Sequence, residues 1–296
     1  MRLLLTNDDG IRAPGLLALY RAIKPIASDI LIVAPLTVQS ATSHGVTFHQ
    51  PLMTEPVEVD GAIGIAVDGR PADCVKLALA NLWPQRMGGQ PDLVVSGMNA
   101  GANVGINVIY SGTVAAAIEA AFLGVPSIAV SMHLGRGRPL YDIAATHAAT
   151  AIKRLIAQGL PSPHACLSIN IPRCESSPAE AQLPAASSPS TSPPASTRPL
   201  RPLPNLPPID NPAAPLPIVV CPMNVHGLAD RFEERAAPSG QTYYWSAASG
   251  FDFHNTDPGS DVDLLMKRCI TVTPLHYDLT DRSQLDHWAT RLSTET

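Results

Sequence analysis

Two adjacent carboxylates, Asp8 and Asp9, directly follow a short apolar run at residues 3–5. An unbroken apolar run of this kind is typical of a strand that is buried on both faces of a parallel sheet. Ligands of α/β proteins bind beyond the carboxyl ends of such strands, and neighbouring carboxylates repel each other unless a cation compensates their charge. The pair therefore predicts a site for a hard divalent metal. The alternative is structural, since Asn-Asp-Asp-Gly is also a strong turn signal and Asp9 can cap the following helix.

Two more segments offer oxygen ligands of the kind that such a metal takes. Ser40 lies in a hydroxyl-rich loop after the second predicted strand, and Asn99 lies in a loop of glycines and asparagines, residues 96–105, that follows another strand. A neutral amide suits a cation whose charge two carboxylates already balance. Both loops also have a plain interpretation, because serine-rich and glycine-rich segments often only turn the chain.

A further segment, Ser111-Gly112-Thr113, lies at the start of an alanine-rich apolar stretch that predicts a helix over 113–123. Hydroxyls and free amides at the start of a helix bind anions such as phosphate. The alternative is that Ser111 or Thr113 only caps the helix. In the first interpretation, phosphate and metal would be bound at one edge of the sheet.

Alternating strands and helices are predicted to bring these segments together. A helix over 14–26, closed by Pro25, joins the first strand to a second strand at 30–34, and such a unit places both strand ends at one edge. The alternation continues to residue 173, so we predict an α/β fold, a Rossmann-like, doubly wound and mostly parallel sheet over 1–173. The further predicted elements are a hairpin or meander over 46–67, strands at 92–96, 127–131 and 166–171, and a helix at 141–157. Residues 68–75 are predicted to lead into another apolar helix, which has Asp73 in its first turn and ends near Trp83.

The charge of the chain argues against a nucleic-acid duplex as a partner. The net charge is −5 and the pI is near 6.0, so no basic surface is expected to bind a polyanion. Local amides and a metal would therefore have to bind a phosphorylated substrate. With 296 residues, 45% of them hydrophobic, the chain can form one large α/β domain or two small ones.

The sequence predicts neither a membrane span nor an export signal. Three consecutive leucines near the N-terminus are too few for the apolar core of a signal peptide, and no apolar run reaches the roughly 18 residues of a membrane span. The five cysteines are odd in number, scattered and without zinc-ligand spacing. We expect reduced thiols, mostly in the core, and a cytoplasmic location.

The chain changes character between residues 174 and 217, which are rich in proline and serine. This composition predicts a disordered, partly polyproline insertion, because it offers little apolar surface to bury. Over 218–296 we expect strands joined by long loops, which project as an arm and end in a tail. Within them, Tyr243, Tyr244 and Trp245 predict either a subunit contact or a plain cross-strand cluster.

The chain contains five stretches that form a joint signal, namely residues 3–10 (LLLTNDDG), 34–35 together with Ser40, 96–101 (SGMNAG), 110–115 (YSGTVA) and 273–279 (TPLHYDL). In this order, and over most of the chain outside the proline-rich segment, they resemble the SurE family. Its members are metal-dependent nucleoside monophosphate phosphatases, also called 5'/3'-nucleotidases or survival proteins. Their substrates are nucleoside 5'- or 3'-monophosphates, and some members also shorten polyphosphate.

The resemblance assigns roles to the residues discussed above. It implies one divalent cation, Mg²⁺ or Mn²⁺, and catalytic roles for the two aspartates. The implied metal ligands are Asp8, Asp9, Ser40 and Asn99, and the implied phosphate-binding residues are Asn99, Ser111, Gly112 and Thr113. It further implies a Rossmann-like fold with a protruding C-terminal β-hairpin, and a homodimer or homotetramer that the hairpin helps to build.

The chain departs from the family pattern in two places. The loop at 36–39 is less charged than is usual, which leaves the base or sugar preference open. The insertion at 174–217 is far from the implied metal ligands in sequence, so it bears on assembly or partner choice more than on chemistry.

The predicted reaction is hydrolysis of a phosphate monoester, in which the metal activates water and the helix start stabilises the developing charge. The proton acceptor stays open, with a carboxylate of the pair as one candidate. Covalent attack by Asp8 is less favoured, because the metal would engage both carboxylates. Two functions from other classes would use the same pocket: a nucleotide-binding regulatory protein without turnover, and a metal-dependent nucleotide-sugar transferase.

Overall fold

A computed structural model describes residues 1–176, 209–246 and 251–293 of the chain. The described strands are β1 (Arg2–Thr6), β2 (Asp29–Pro35), β3 (Thr54–Val59), β4 (Ala62–Val67), β5 (Leu93–Ala100), β6 (Ser127–Met132), β7 (Cys166–Ile171), β8 (Ile218–Val220), β9 (Phe232–Ala236), β10 (Thr242–Ser246) and β11 (Ile270–Leu275). The α-helices are α1 (Pro14–Ile23), α2 (Pro71–Leu77), α3 (Trp83–Arg86), α4 (Gly112–Phe122), α5 (Tyr141–Ile156), α6 (Asp261–Met266) and α7 (Leu285–Ser293).

Nine of these strands form one sheet in the order β3-β4-β2-β1-β5-β6-β7-β11-β8. The pairs from β4 through β7 are parallel, whereas β3 and β11 each pair antiparallel with a neighbour. The chain runs from β1 to β2 on one side and later returns to β5 on the other, so the order reverses at β1. The predicted α/β, doubly wound and mostly parallel sheet is confirmed, and the reversal at β1 is where such folds bind ligands.

Strand β1 is buried because helices cover both faces of the sheet. Leu3 and Leu5 pack in the cluster that includes residues of α1 and α5, and Leu4 packs in the cluster that includes residues of α2 and α4. All three leucines are fully buried. Continuous burial explains the unbroken apolar run, since alternate side chains of a strand point to opposite faces.

Two predicted boundaries are wrong for local reasons. The strand predicted at 92–96 continues as β5 to Ala100, because a register shift between Gly97 and Asn99 lets the chain keep pairing with β6. Gly97 has φ +139°, a backbone conformation that side chains other than glycine rarely adopt. The helix predicted to end near Trp83 is divided into α2 and α3 by a π-helical turn over Ala78–Leu82.

The C-terminal part of the chain both extends the sheet and forms a separate hairpin. Strands β8 and β11 complete the edge beyond β7, while β9 and β10 pair antiparallel as a two-stranded sheet whose residues are all exposed. The residues directly opposite Tyr243, Tyr244 and Trp245 on β9 are charged, and whether the three side chains form a subunit contact stays a prediction. Helix α7, which the sequence patterns did not predict, has no buried residue.

The proline-rich insertion predicted over 174–217 lies outside the described residues between 177 and 208. Its described ends contact the rest of the chain. The amide of Leu140 donates to the carbonyl of Cys174, and His147 Nε2 lies 2.9 Å from the carbonyl oxygen of Pro212. How the chain divides into units stays a prediction.

Four of the five cysteines are buried and Cys269 is partly exposed, all as free thiols. Their expected place in the core is thus largely confirmed, whereas the cytoplasmic location stays a prediction. In the described ranges, no helix is both long enough and apolar enough to cross a bilayer.

Candidate functional site

Asp8 lies directly beyond β1 and packs against the start of α4. Its side chain is 4% exposed, and the Thr113 hydroxyl donates a hydrogen bond to Asp8 Oδ1. A Cβ atom added at Gly112 would lie 2.8 Å from Asp8 Cβ and 3.0 Å from Asp8 Oδ2. Glycine therefore permits the helix start and the carboxylate to approach each other this closely.

Asp9 and Asn99 meet where β1 and β5 end side by side. The amide of Ala100 donates a 2.9 Å hydrogen bond to Asp9 Oδ2. Asn99 Nδ2 donates to the carbonyl of Gly101 at 2.7 Å, so its Oδ1 atom stays available as a ligand. The predicted juxtaposition of an acidic pair with an amide oxygen is consistent with these contacts.

The electrostatics of the pair favour a cation. The pKa of Asp8 is raised to about 6, chiefly by burial and further by the charge of Asp9, against the opposing hydrogen bond from Thr113. Burial also raises the pKa of Asp9, against the opposing amide of Ala100. Among the described residues, no Lys, Arg or His forms an ion pair with either carboxylate. A bound cation would stabilise the ionised form of both.

The start of α4 has both a cap and free donors. The Ser111 hydroxyl accepts a 3.1 Å hydrogen bond from the amide of Val114, so Ser111 is the N-cap, as one of the two predicted alternatives holds. The cap leaves the Ser111 proton free to be donated. The first backbone hydrogen bond of the helix runs from Ala115 to Ser111, so the amide of Gly112 is available to an anion, whereas the amide of Thr113 hydrogen-bonds the Asp8 carboxylate.

Ser40 lies in the loop after β2, and we call residues 37–45 the Ser40 loop. The backbone amide of Gln39 donates a 2.8 Å hydrogen bond to the carbonyl of Asp8, which brings this loop to the acidic pair. The Ser40 side chain itself is exposed and makes no hydrogen bond to another described residue. Its role as a metal ligand therefore stays a prediction.

Sequence reasoning missed a buried carboxylate beside this site. Glu119 of α4 is 5% exposed, and its oxygens contact His44 of the Ser40 loop and Lys76 of α2. One signal for it was available, because Glu119 is the single charged residue of the otherwise apolar α4. Such a residue must be buried with partners on a helix that packs closely on a sheet.

The chemistry of the donor set fits a hard divalent cation. Two carboxylates, a hydroxyl and an amide offer only oxygen, the element that Mg²⁺ and Mn²⁺ prefer. Next to the pair, Asn7 Oδ1 is buried without a hydrogen-bond partner in the part of the chain that the structure describes. A cluster of three or more His, Cys, Asp or Glu suited to a metal does not occur in the described ranges.

The fold and this arrangement define a class of protein. It is a Rossmann-like α/β protein in which an acidic pair and a helix N-terminus meet at the point where the strand order of the sheet reverses.

Comparison with known proteins identifies the family within that class. The model of the family described as Survival protein SurE matches residues 3–188. The 5'-nucleotidase SurE of Syntrophobacter fumaroxidans is 38% identical over 288 residues, which span 97% of each chain. The 5'-nucleotidase SurE of Heliobacterium modesticaldum is 38% identical over 96% of this chain and 89% of its own. The chain belongs to the SurE family.

A solved structure supports the same assignment. The crystal structure of the SurE protein from Aquifex aeolicus superposes with a TM-score of 0.72 and 28% sequence identity. The superposition covers 99% of this chain and all of the other. The predicted family and fold are thus confirmed together.

Proposed function

We propose that this chain is a metal-dependent phosphatase that hydrolyses nucleoside 5'- or 3'-monophosphates to nucleoside and phosphate. The observation that carries the proposal is the acidic pair after β1, in which Asp8 is buried against the start of α4 and neither carboxylate has a cationic side chain as a partner among the described residues. The names of the related 5'-nucleotidases support the substrate class.

Asp8, Asp9, Ser40 and Asn99 would hold the metal, one Mg²⁺ or Mn²⁺ ion. When bound, such a cation neutralises phosphoryl oxygens and lowers the pKa of water. The chain supplies the rest of the site. The amide of Gly112 and the Ser111 proton would bind the phosphoryl oxygens, and the helix dipole would favour their charge.

Thr113 holds Asp8 in this proposal. Its hydroxyl donates to Asp8 Oδ1 and its backbone amide also hydrogen-bonds the Asp8 carboxylate, so Thr113 positions this metal ligand at the start of the helix that would bind phosphate. One residue of α4 thus couples the metal ligands to the phosphate site. Such coupling keeps the reacting groups in a fixed relative position, which is a large source of catalysis.

Phosphate release from 5'-AMP, 3'-AMP, polyphosphate and p-nitrophenyl phosphate tests the proposal. We expect chelator-treated protein to be inactive and either Mg²⁺ or Mn²⁺ to restore turnover of a mononucleotide. If pure protein with metal leaves 5'-AMP and p-nitrophenyl phosphate intact, the proposal is wrong. Binding of 5'-AMP without turnover would instead identify a regulatory protein, and a requirement for an acceptor would identify a transferase.

We also propose that the chain assembles as a homodimer or homotetramer. Phe232, Tyr244 and Trp245 are 67%, 60% and 58% exposed on the hairpin, and α7 exposes Leu285, Trp288 and Leu292. Between α4 and the β8–β11 edge lies a mostly apolar groove of about 1120 Å³. Exposed apolar patches of this kind are typical of subunit contacts. Light scattering should give two or four times the chain mass of 31.2 kDa.

A further inference from the structure

The Ser40 loop has no apolar anchor. None of residues 37–45 is buried, although the strand before them and the helix that they face are. Ala41 and Ser43 have φ values of 56° and 54°, a left-handed conformation that costs free energy outside glycine. A segment without a fully buried residue keeps such a conformation only if specific contacts hold it.

The contacts that hold the loop are polar and few. At one end, the amide of Gln39 donates to the carbonyl of Asp8. Near the other, the Ser43 hydroxyl donates to the carbonyl of Ile109 at 2.8 Å, and the Ser43 amide donates to the carbonyl of Tyr110 at 3.2 Å. Among the described residues, one hydrogen bond joins a side chain of the loop to a side chain outside it: His44 Nε2 lies 2.7 Å from Glu119 Oε2.

Glu119 is itself held in place. Lys76 Nζ of α2 lies 3.2 Å from the second carboxylate oxygen, Oε1. The Glu119 side chain is 6% exposed, whereas those of His44 and Lys76 are 38% and 44% exposed. Burial raises the pKa of Glu119, but the hydrogen bonds from His44 and Lys76 outweigh it and the pKa is lowered overall. The carboxylate is therefore an ionised, oriented acceptor for His44.

The contact between His44 and Glu119 joins the Ser40 loop to the same helix, α4, that begins at the proposed phosphate site. The helix begins at Gly112, whose amide belongs to the proposed phosphate site, and Glu119 follows two turns later on the same side of the helix. The rise between them is about 10 Å. Because a helix is rigid over two turns, the contact between His44 and Glu119 helps to set the distance from the Ser40 loop to the phosphate site, together with the Ser43 contacts at Ile109 and Tyr110.

We propose that His44 and Glu119 are positioning residues, which hold the Ser40 loop so that Ser40 can complete the metal site. The inference rests on the proposed function, because Ser40 is a ligand only there. Neither residue would touch metal or substrate. Groups that orient metal ligands typically contribute 10-fold to 100-fold to metal affinity.

Two amide substitutions that differ by one methylene test the inference. In H44Q the side-chain amide can reach Glu119, whereas in H44N it is too short. The matched control is H49N, because His49 is exposed in the same region and makes no hydrogen bond to another described residue. Calorimetric titration of metal-free protein with Mn²⁺ gives the affinity, and phosphate release at increasing Mn²⁺ gives the activation constant and kcat.

We expect H44N to bind Mn²⁺ about tenfold more weakly, with kcat at saturating Mn²⁺ within about twofold of the parent. H44Q should recover most of the affinity, and H49N should match the parent. A general loss of folding would instead lower kcat and the melting temperature of the metal-free protein in both His44 variants.

The inference is wrong if H44N binds Mn²⁺ as tightly as the parent, or if H44Q loses as much affinity as H44N. Failure of the proposed function has a different signature. In that case the parent itself neither binds Mn²⁺ nor releases phosphate, whatever stands at position 44.

Discussion

The two sides of the candidate site are held in different ways. On one side, Asp8 and Asp9 follow a fully buried strand, and backbone or side-chain contacts from β5 and α4 orient both carboxylates. On the other, the Ser40 loop has no buried residue and depends on a few polar contacts, chiefly with the carbonyls of Ile109 and Tyr110 and with Glu119. The positions of Asp8 and Asp9 are therefore fixed by several contacts, whereas the position of the Ser40 loop depends on few.

This difference suggests a division of work. The rigid side places charge next to the start of α4, where small displacements would be costly. In the proposed site the loop side would supply Ser40, and it can change sequence without disturbing the core. We therefore expect changes on the rigid side to have larger effects than changes in the loop, and the predictions below test that order.

The largest effect is expected from D8N. Removing one carboxylate leaves a metal site with a single negative charge, so turnover should fall about 1,000-fold or more. D29N is a matched control, because Asp29 is an exposed carboxylate at the start of β2. The measurement is kcat/KM for a mononucleotide at saturating Mn²⁺, with circular dichroism as the check on folding. Parent-like activity in folded D8N would show that the metal assignment is wrong.

The second-largest loss of activity is expected from G112A. The added methyl group would meet Asp8 Cβ at 2.8 Å, so the helix start or the carboxylate must move. We expect about a 100-fold loss of kcat/KM, the scale of a displacement near 1 Å. In G227A the nearest atom is His254 Cδ2 at 3.8 Å, so this control should keep its activity. Equal effects of the two substitutions would mean that the close packing at Asp8 has no special role.

The two sides of the site could not be predicted equally well from the sequence. Burial on both faces of the sheet leaves an unbroken apolar run at residues 3–5, and the polar residues after it were interpreted correctly as the end of a strand. Asn99 was placed in a loop, because an apolar pattern does not reveal the irregularity that carries β5 past Gly97. His44 and Glu119 are 75 residues apart, and no local pattern connects a surface histidine with a buried glutamate at that separation.

The buried carboxylate of Asp8 should also make the free energy of unfolding depend on pH. The pKa of Asp8 is raised to about 6, so its contribution to stability is full at low pH and is lost as the pH rises through 6. Asn has no such charge. The free energy of unfolding of metal-free D8N, relative to the parent, should therefore rise by about 2–3 kcal/mol between pH 4 and pH 7. Urea unfolding at several pH values measures this difference.

The comparison between variant and parent is needed because another buried group acts in the opposite sense. Burial lowers the pKa of His133 to about 4, so its contribution to stability is lost as the pH falls from 6.5 towards 4. That contribution is common to both proteins and cancels in the difference. A difference between D8N and parent that stays constant with pH would contradict the buried, uncompensated charge at Asp8.

The smallest effect is expected in the loop. There, S40A and S43A should rank in one order by melting temperature and in the reverse order by Mn²⁺ affinity. The Ser43 hydroxyl donates to the carbonyl of Ile109, whereas the Ser40 hydroxyl has no partner among the described residues, so in metal-free protein S43A should lower the melting temperature more than S40A. If Ser40 is a metal ligand, the order reverses for Mn²⁺ affinity, with about a tenfold loss in S40A and a smaller one in S43A. Calorimetric titration and thermal unfolding of both variants measure the two orders. Should S40A lose no more affinity than S43A, the loop would support the site without supplying a ligand, and the carboxylates and Asn99 would be left as its protein ligands.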